Sequence, residues 1–184
     1  MTDEYADALL MFKRRIQTAF KTFPNGFVWL RCAGLYGLFL AIAAPLGFWT
    51  GFLKCEWMIA PAYMYALVPL IAFLEPGILE ELLFRVLWVP HPSENKSTAA
   101  VVTASAISLS VFVLMHPLNG IFVRVEARAV FTNPIFLILA ALLGLVCTVA
   151  YRVSGSIWPP VAMHWMTVLV WTMTLGGKRL LSGG

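Results

Sequence analysis

The chain has 184 residues, 60% of them apolar, 14% aromatic and only 12% charged, with a mean hydropathy of +0.83 and a formal net charge of +4. A soluble domain carries roughly 25% charged residues, so this composition excludes an ordinary soluble globule and predicts a multi-spanning membrane protein, a single domain over 1–184. Basic runs interleaved with stacking aromatics are absent, which excludes a nucleic-acid partner and leaves anionic lipid headgroups as the match for the modest positive charge. Cys32, Cys55 and Cys147 are odd in number and widely spaced, so neither a disulfide framework nor a cysteine-held zinc site is expected.

Residues 1–27 read as an amphipathic helix that lies in the membrane interface. Thr2 caps it, and Tyr5, Leu9, Phe12, Ile16, Phe20 and Phe23 recur every three or four residues as one apolar stripe. Lys13, Arg14, Gln17 and Lys21 take the other side, the pattern of a helix resting on anionic lipid. Residues 28–176 then form the transmembrane bundle. The first span covers 28–52, with Trp29 and Trp49 as interfacial anchors. The second covers 57–74, and Glu75-Pro76-Gly77 breaks it. A further helix begins near Ile78 and runs to Val89, followed by a polar turn in which His91 is solvated. The third span runs from Ala99 to His116 and ends before Pro117, because the residue preceding a proline avoids the α region. Residues 117–132 read as a loop, 133–151 and 157–175 as the last spans, and 177–184 as a tail. The fold class expected is all-α, a polytopic bundle of about five to six membrane helices. Lys and Arg favour a cytoplasmic N-terminus only narrowly, since the charges divide almost evenly between the two sides.

Three short runs carry polar chemistry inside these greasy segments: Glu80-Glu81 with Arg85, Phe112 with His116, and His164. A charge at the centre of an isolated membrane helix costs roughly 2.5–3.5 kcal/mol on insertion scales, so such residues mark a functional site by default. Glu81 and Arg85 are four apart, acid first, the favourable order for an ion pair on one helix face. That leaves Glu80 without a partner on its own helix, either a buried protonated packing residue or a general base. Its position after the Pro76-Gly77 break puts it near a helix N-terminus, where the dipole favours the ionised form and burial opposes it. Phe112 and His116 share one face of the third span. His164 lies near the start of the last span, a setting for neutral imidazole. These groups suit water attack on a peptide carbonyl: Glu80 takes the proton, His116 positions the water or shares its proton, and His164 faces the developing oxyanion.

The same runs resemble the CPBP family of intramembrane endopeptidases, the CAAX-protease and bacteriocin-processing proteins. Glu80-Glu81 with Arg85 matches the EExxxR motif, Phe112 with His116 matches FxxxH, and Gly155-Ser156 through His164 is similar to the approach to the family's last histidine. The resemblance spans roughly residues 60–170. It implies an all-helical membrane bundle, Glu80 as the water-activating residue, His116 and His164 completing the site, and no obligatory metal or other cofactor. It also implies a membrane protein or peptide as substrate. Where the family has an Asn four residues after the last His, this chain has Val168, preceded by Thr167. Val168 offers no donor to an oxyanion, and Thr167 lies about 100° away around the helix. Two alternatives follow. One is a catalytically impaired relative that binds membrane proteins as a scaffold. The other is a zinc-dependent membrane hydrolase with Glu80, His116 and His164 as ligands, although HExxH is absent.

Overall fold

The computed structural model describes residues 2–183, with side chains from Leu9 onward; the expected Thr2 cap and the Tyr5 end of the N-terminal stripe rest on side chains outside the described ones. The described chain is all-helical. Helix α1 is Thr2–Lys21, α2 Gly26–Trp49 and α3 Met64–Ala72. Helix α4 is Thr98–Phe122, α5 Arg128–Phe131, α6 Pro134–Ser154, α7 Trp158–Thr174 and α8 Gly177–Leu181. Side chains start several of them. Asn25 accepts from the Val28 amide at 3.0 Å to cap α2, and Asn133 accepts from the Ile135 and Phe136 amides at 2.8 and 3.3 Å to cap α6.

Among the described residues, three helices are long and apolar enough to cross a membrane: α2 with 24 residues, α4 with 25 and α6 with 21. Length and apolarity alone do not show the five to six spans expected. Helix α7 has only 17 residues, and the run from Met64 to Leu87 carries Glu75, Glu80, Glu81 and Arg85.

Helix α6 is the centre of the bundle and packs against α2, α4 and α7. Cys32, Phe39 and Ala43 of α2 meet Leu143, Cys147 and Ala150 of α6 and Met163 of α7 in one buried cluster. Close contact with α4 depends on Gly144: a Cβ there would stand 2.7 Å from Leu109 Cδ1 and 3.1 Å from Phe112 Cδ1. Outward faces stay apolar and exposed, as at Leu38 and Ile42 of α2 and Ile107 and Leu114 of α4, the expected surface for lipid contact.

Four local expectations are corrected. Pro76-Gly77 does not break the chain. Helix α3 continues as π-helix through Phe73–Glu80 and Leu82–Leu87, with Pro76 inside the run. The wider π turn absorbs the proline without a loop, as such turns do inside α-helices at functional sites. Glu80 therefore lies in mid-helix, and the N-terminal dipole argument for it falls. Pro117 likewise sits inside α4, which runs on to Phe122. A proline within a packed membrane helix is tolerated when neighbouring groups re-satisfy the freed backbone. Residues 117–132 are consequently helical for much of their length, with a 3₁₀ turn at Val125–Ala127 before α5. Finally, His91 is buried, not solvated. Its Nε2 meets the Gly155 carbonyl at 2.9 Å, and its Nδ1 accepts from the Ser93 amide at 3.2 Å.

Helix α1 docks on this bundle. Ala19 is buried, and Ile16 and Phe20 pack on Val86, Val89, Tyr151, Ile157 and Val161. Lys13, Arg14, Gln17 and Lys21 are exposed on the other side, while Leu9 remains 70% exposed, so only part of the apolar stripe is used in packing.

Candidate active site

The polar runs converge where the π-helical segment, α4, α6 and α7 meet. Glu81 and Arg85 are sealed inside, with 0% and 1% of their side chains exposed and Arg85 Nη1 3.1 Å from Glu81 Oε1. Arg85 Nη2 donates to the Gly144 carbonyl at 3.0 Å, and the guanidinium lies over the Phe112 ring, 4.6 Å from its centroid. Gly144 permits this approach, since a Cβ there would stand 3.0 Å from Arg85 Nη2. Thus Arg85 ties together three elements of the bundle.

His164 is held by the same network. Its Nδ1 lies 2.7 Å from Glu81 Oε1. An ionised carboxylate only accepts, so Nδ1 carries the proton and donates. The opposite nitrogen, Nε2, then faces Glu80 Oε2 at 3.8 Å. The two neighbouring acids differ sharply. Glu81 has no exposed side-chain surface, whereas Glu80 retains 29%. Glu81 anchors; Glu80 reaches open space. With both acids ionised, Arg85 supplies one permanent positive charge against two negative ones.

His116 belongs to the same wall. Its Nδ1 lies 2.9 Å from the Phe112 carbonyl one turn back. A carbonyl only accepts, so Nδ1–H is the donor and Nε2 keeps a free lone pair. Phe112 stands between the two histidines, with ring centroids 5.0 Å from His116 and 6.0 Å from His164.

A cavity of about 370 Å³ opens onto these groups, lined among others by Glu80, His116, His164, Phe112, Thr167 and Val168. Its remaining walls are largely apolar, from Phe39 and Leu40 of α2 to Phe131, Phe136 and Trp171. Every expected site residue is therefore either on the cavity or, for Glu81 and Arg85, directly behind it. Thr167 lines the cavity but is spent. Its hydroxyl donates to the Met163 carbonyl at 2.8 Å and accepts from the Tyr36 hydroxyl at 3.1 Å.

Sequence reasoning left out four polar lining residues: Tyr36, Glu75, Asn119 and Arg124. Asn119 was legible in principle, three residues after His116 and so one helical turn along the same face. It was hidden by ending the helix at Pro117. Glu75 reaches the wall through the π winding, which advances roughly 82° per residue at about 4.4 residues per turn. Over five residues that leaves Glu75 and Glu80 about 50° apart, where an α-helix at 3.6 residues per turn gives about 140°.

Comparison with known proteins gives one finding and two blanks. The family model of the type II CAAX prenyl endopeptidases, Rce1-like, matches residues 61–170, more than half of the chain and all of the polar runs above. The chain belongs to this family. No curated protein and no solved structure matches it. Membership of the Rce1-like CAAX endopeptidases implies a membrane protease acting on peptide substrates. Together with the three apolar helices, it makes this chain an integral membrane protein. Among the described residues, no three His, Cys, Asp or Glu side chains are grouped to hold one metal ion.

Proposed function

We propose that the protein is a glutamate-dependent intramembrane endopeptidase. Water entering the cavity loses a proton to Glu80, while its oxygen bonds to the carbonyl carbon of a bound peptide. The carbonyl π electrons move to oxygen and form an oxyanion. Collapse breaks the C–N bond, and the proton held by Glu80 passes to the leaving amine, giving a free carboxylate and a free amine. His116, with Nε2 unoccupied, accepts the water's second O–H and fixes its direction. His164 balances the charge on Glu80 across the 3.8 Å gap, and Glu81 with Arg85 locks the His164 ring in place. The observation that carries this reading is the contrast between the two acids: Glu80 lines the cavity with 29% of its side chain exposed, although its Oε2 towards His164 is shielded, and Glu81 is fully sealed.

The test uses the purified full chain and a quenched-fluorescent peptide with an S-farnesyl cysteine four residues from its C-terminus, the C-a-a-X arrangement, beside an unlipidated twin. Cleavage is expected, and Glu80→Gln is expected to slow it by about 10²–10⁴-fold. Cleavage that survives Glu80→Gln overturns the proposal, and cleavage abolished by a chelator transfers it to a metal hydrolase. Val168 on the cavity wall, with Thr167 already engaged, favours one other reading, a binding protein without turnover. Retained capture of the peptide with no cleavage supports that alternative. In either case we treat residues 1–184 as one membrane domain with a cytoplasmic N-terminus, which thiol labelling of single-cysteine variants from each side of a sealed vesicle tests.

A further inference from the structure

Hydrolysis of a peptide bond concentrates negative charge on the former carbonyl oxygen. In a cavity with apolar walls that charge needs a hydrogen-bond donor already in place. The lining donors can be taken in turn. The Tyr36 hydroxyl donates to Thr167, and the Thr167 hydroxyl donates to the Met163 carbonyl. His116 spends its Nδ1–H on the Phe112 carbonyl, and His164 spends its Nδ1–H on Glu81. Trp171 Nε1 has no partner but is shut off from open space. Arg124 lies on the exposed rim, its Nε 3.5 Å from Glu126 Oε1, and brings a permanent charge rather than a neutral donor. Val168 has nothing to donate.

Asn119 remains. It lines the same cavity one turn beyond His116. Its backbone carbonyl is occupied by the Val123 and Arg124 amides at 2.9 and 2.7 Å. Its side-chain carboxamide has no hydrogen-bond partner among the described residues, and its atoms are not among the sealed polar ones. A neutral carboxamide also suits the task. It donates to a charge as the charge appears, without placing a permanent charge in an apolar cavity beforehand.

We propose that Asn119 Nδ2–H is the donor that stabilises the oxyanion, from α4, in a chain whose α7 presents Val168. This rests on the hydrolytic reading above. It adds no covalent step: the Asn119 hydrogen bond forms as the C–O π electrons reach oxygen and relaxes as the C–N bond breaks.

The farnesylated and unlipidated peptides are used with four variants of the full chain: Asn119→Ala, Asn119→Asp, the double variant Asn119→Ala with Val168→Asn, and Glu80→Gln. Asn119→Ala is expected to lower kcat by about 10²–10³-fold with KM little changed, and Asn119→Asp, of the same shape but without the donor, by a similar factor. Adding Val168→Asn supplies a donor from the facing helix and is expected to recover at least about tenfold of the loss. Thermal unfolding midpoints of all four should match that of the parent. Asn119→Ala turning over at the parental rate beside an inactive Glu80→Gln overturns the Asn119 assignment and leaves the hydrolytic reading intact. Loss of rate that tracks a lowered midpoint, without recovery by Val168→Asn, also overturns it, by making Asn119 structural. A parent chain that cleaves neither peptide overturns both.

Discussion

Two polar clusters in this bundle differ in how their groups are paired. Near α1, Arg15 meets Glu94 with both ends of its fork, Nε at 2.7 Å and Nη2 at 2.8 Å, while Nη1 donates to the Leu87 carbonyl at 2.8 Å. The His91 amide donates to Glu94 Oε1 at 2.7 Å, and Arg152 Nη1 donates to the Pro90 carbonyl at 2.5 Å. His91 has both ring nitrogens engaged. The charged groups of that cluster are all paired, and only the Tyr151 hydroxyl beside His91 is buried without a partner. In the cavity cluster, Glu80 Oε2, Glu81 Oε2, Arg85 Nε and Arg85 Nη1 are shielded without a hydrogen-bond partner. Buried polar groups are normally satisfied, and orphans call for a reason such as a catalytic role or a missing water. The first cluster pins α1 to the bundle, and the second borders the cavity. Charge and burial alone do not separate them, because Arg15 and Arg85 are both buried.

Breaking each cluster should expose that difference. The largest effect is expected from Glu80→Gln: cleavage falls by about 10²–10⁴-fold while the unfolding midpoint stays near that of the parent, read by fluorogenic assay and thermal unfolding on one preparation. Arg85→Met should do the reverse, acting on the fold first. It removes the one permanent cation beside Glu81 and leaves that buried carboxylate held by His164 alone, at a cost of about 3–5 kcal/mol, which denaturant titration in detergent measures. An unaltered unfolding curve for Arg85→Met would remove the claim that Arg85 ties the bundle together.

Gly144→Ala asks how tightly that tie is packed. The added methyl would stand 2.7, 3.0 and 3.1 Å from Leu109, Arg85 and Phe112, all inside van der Waals contact, so about 1–3 kcal/mol of overpacking strain is expected. The smallest effect belongs to the cluster near α1. Glu94→Gln is expected to cost about 1 kcal/mol, since the pair is only partly shielded from solvent, and to leave kcat unchanged.

That last cost should depend on pH with a defined sign. Burial alone raises the Glu94 carboxyl, but the Arg15 hydrogen bonds and the His91 amide outweigh it and hold the group below its ordinary value of 4.5. A carboxylate depressed in the folded state stabilises above the unfolded value, and that contribution fades as pH falls through the folded one. The stability gap between the parent and Glu94→Gln should therefore hold from neutrality down to about pH 4.5 and close below it. A gap that widens on acidification would reverse the assignment of Glu94 as the ionised partner of Arg15.

The linear chain by itself determined the solvent. With few charges and long apolar runs, only helices that satisfy their own backbone fit such a sequence. It also determined which groups are costly to bury, because Glu80, Glu81, Arg85, His116 and His164 stand out chemically against their neighbours. The three-dimensional packing decided what periodicity and proline rules could not. Pro76 and Pro117 sit inside continuous helices because π turns and neighbouring helices absorb the lost hydrogen bonds, and only that continuity carries Glu75 and Asn119 onto the cavity wall. Packing likewise decided which of two adjacent acids is anchored and which is open, since solvent access depends on what α6 and α7 place over each carboxylate.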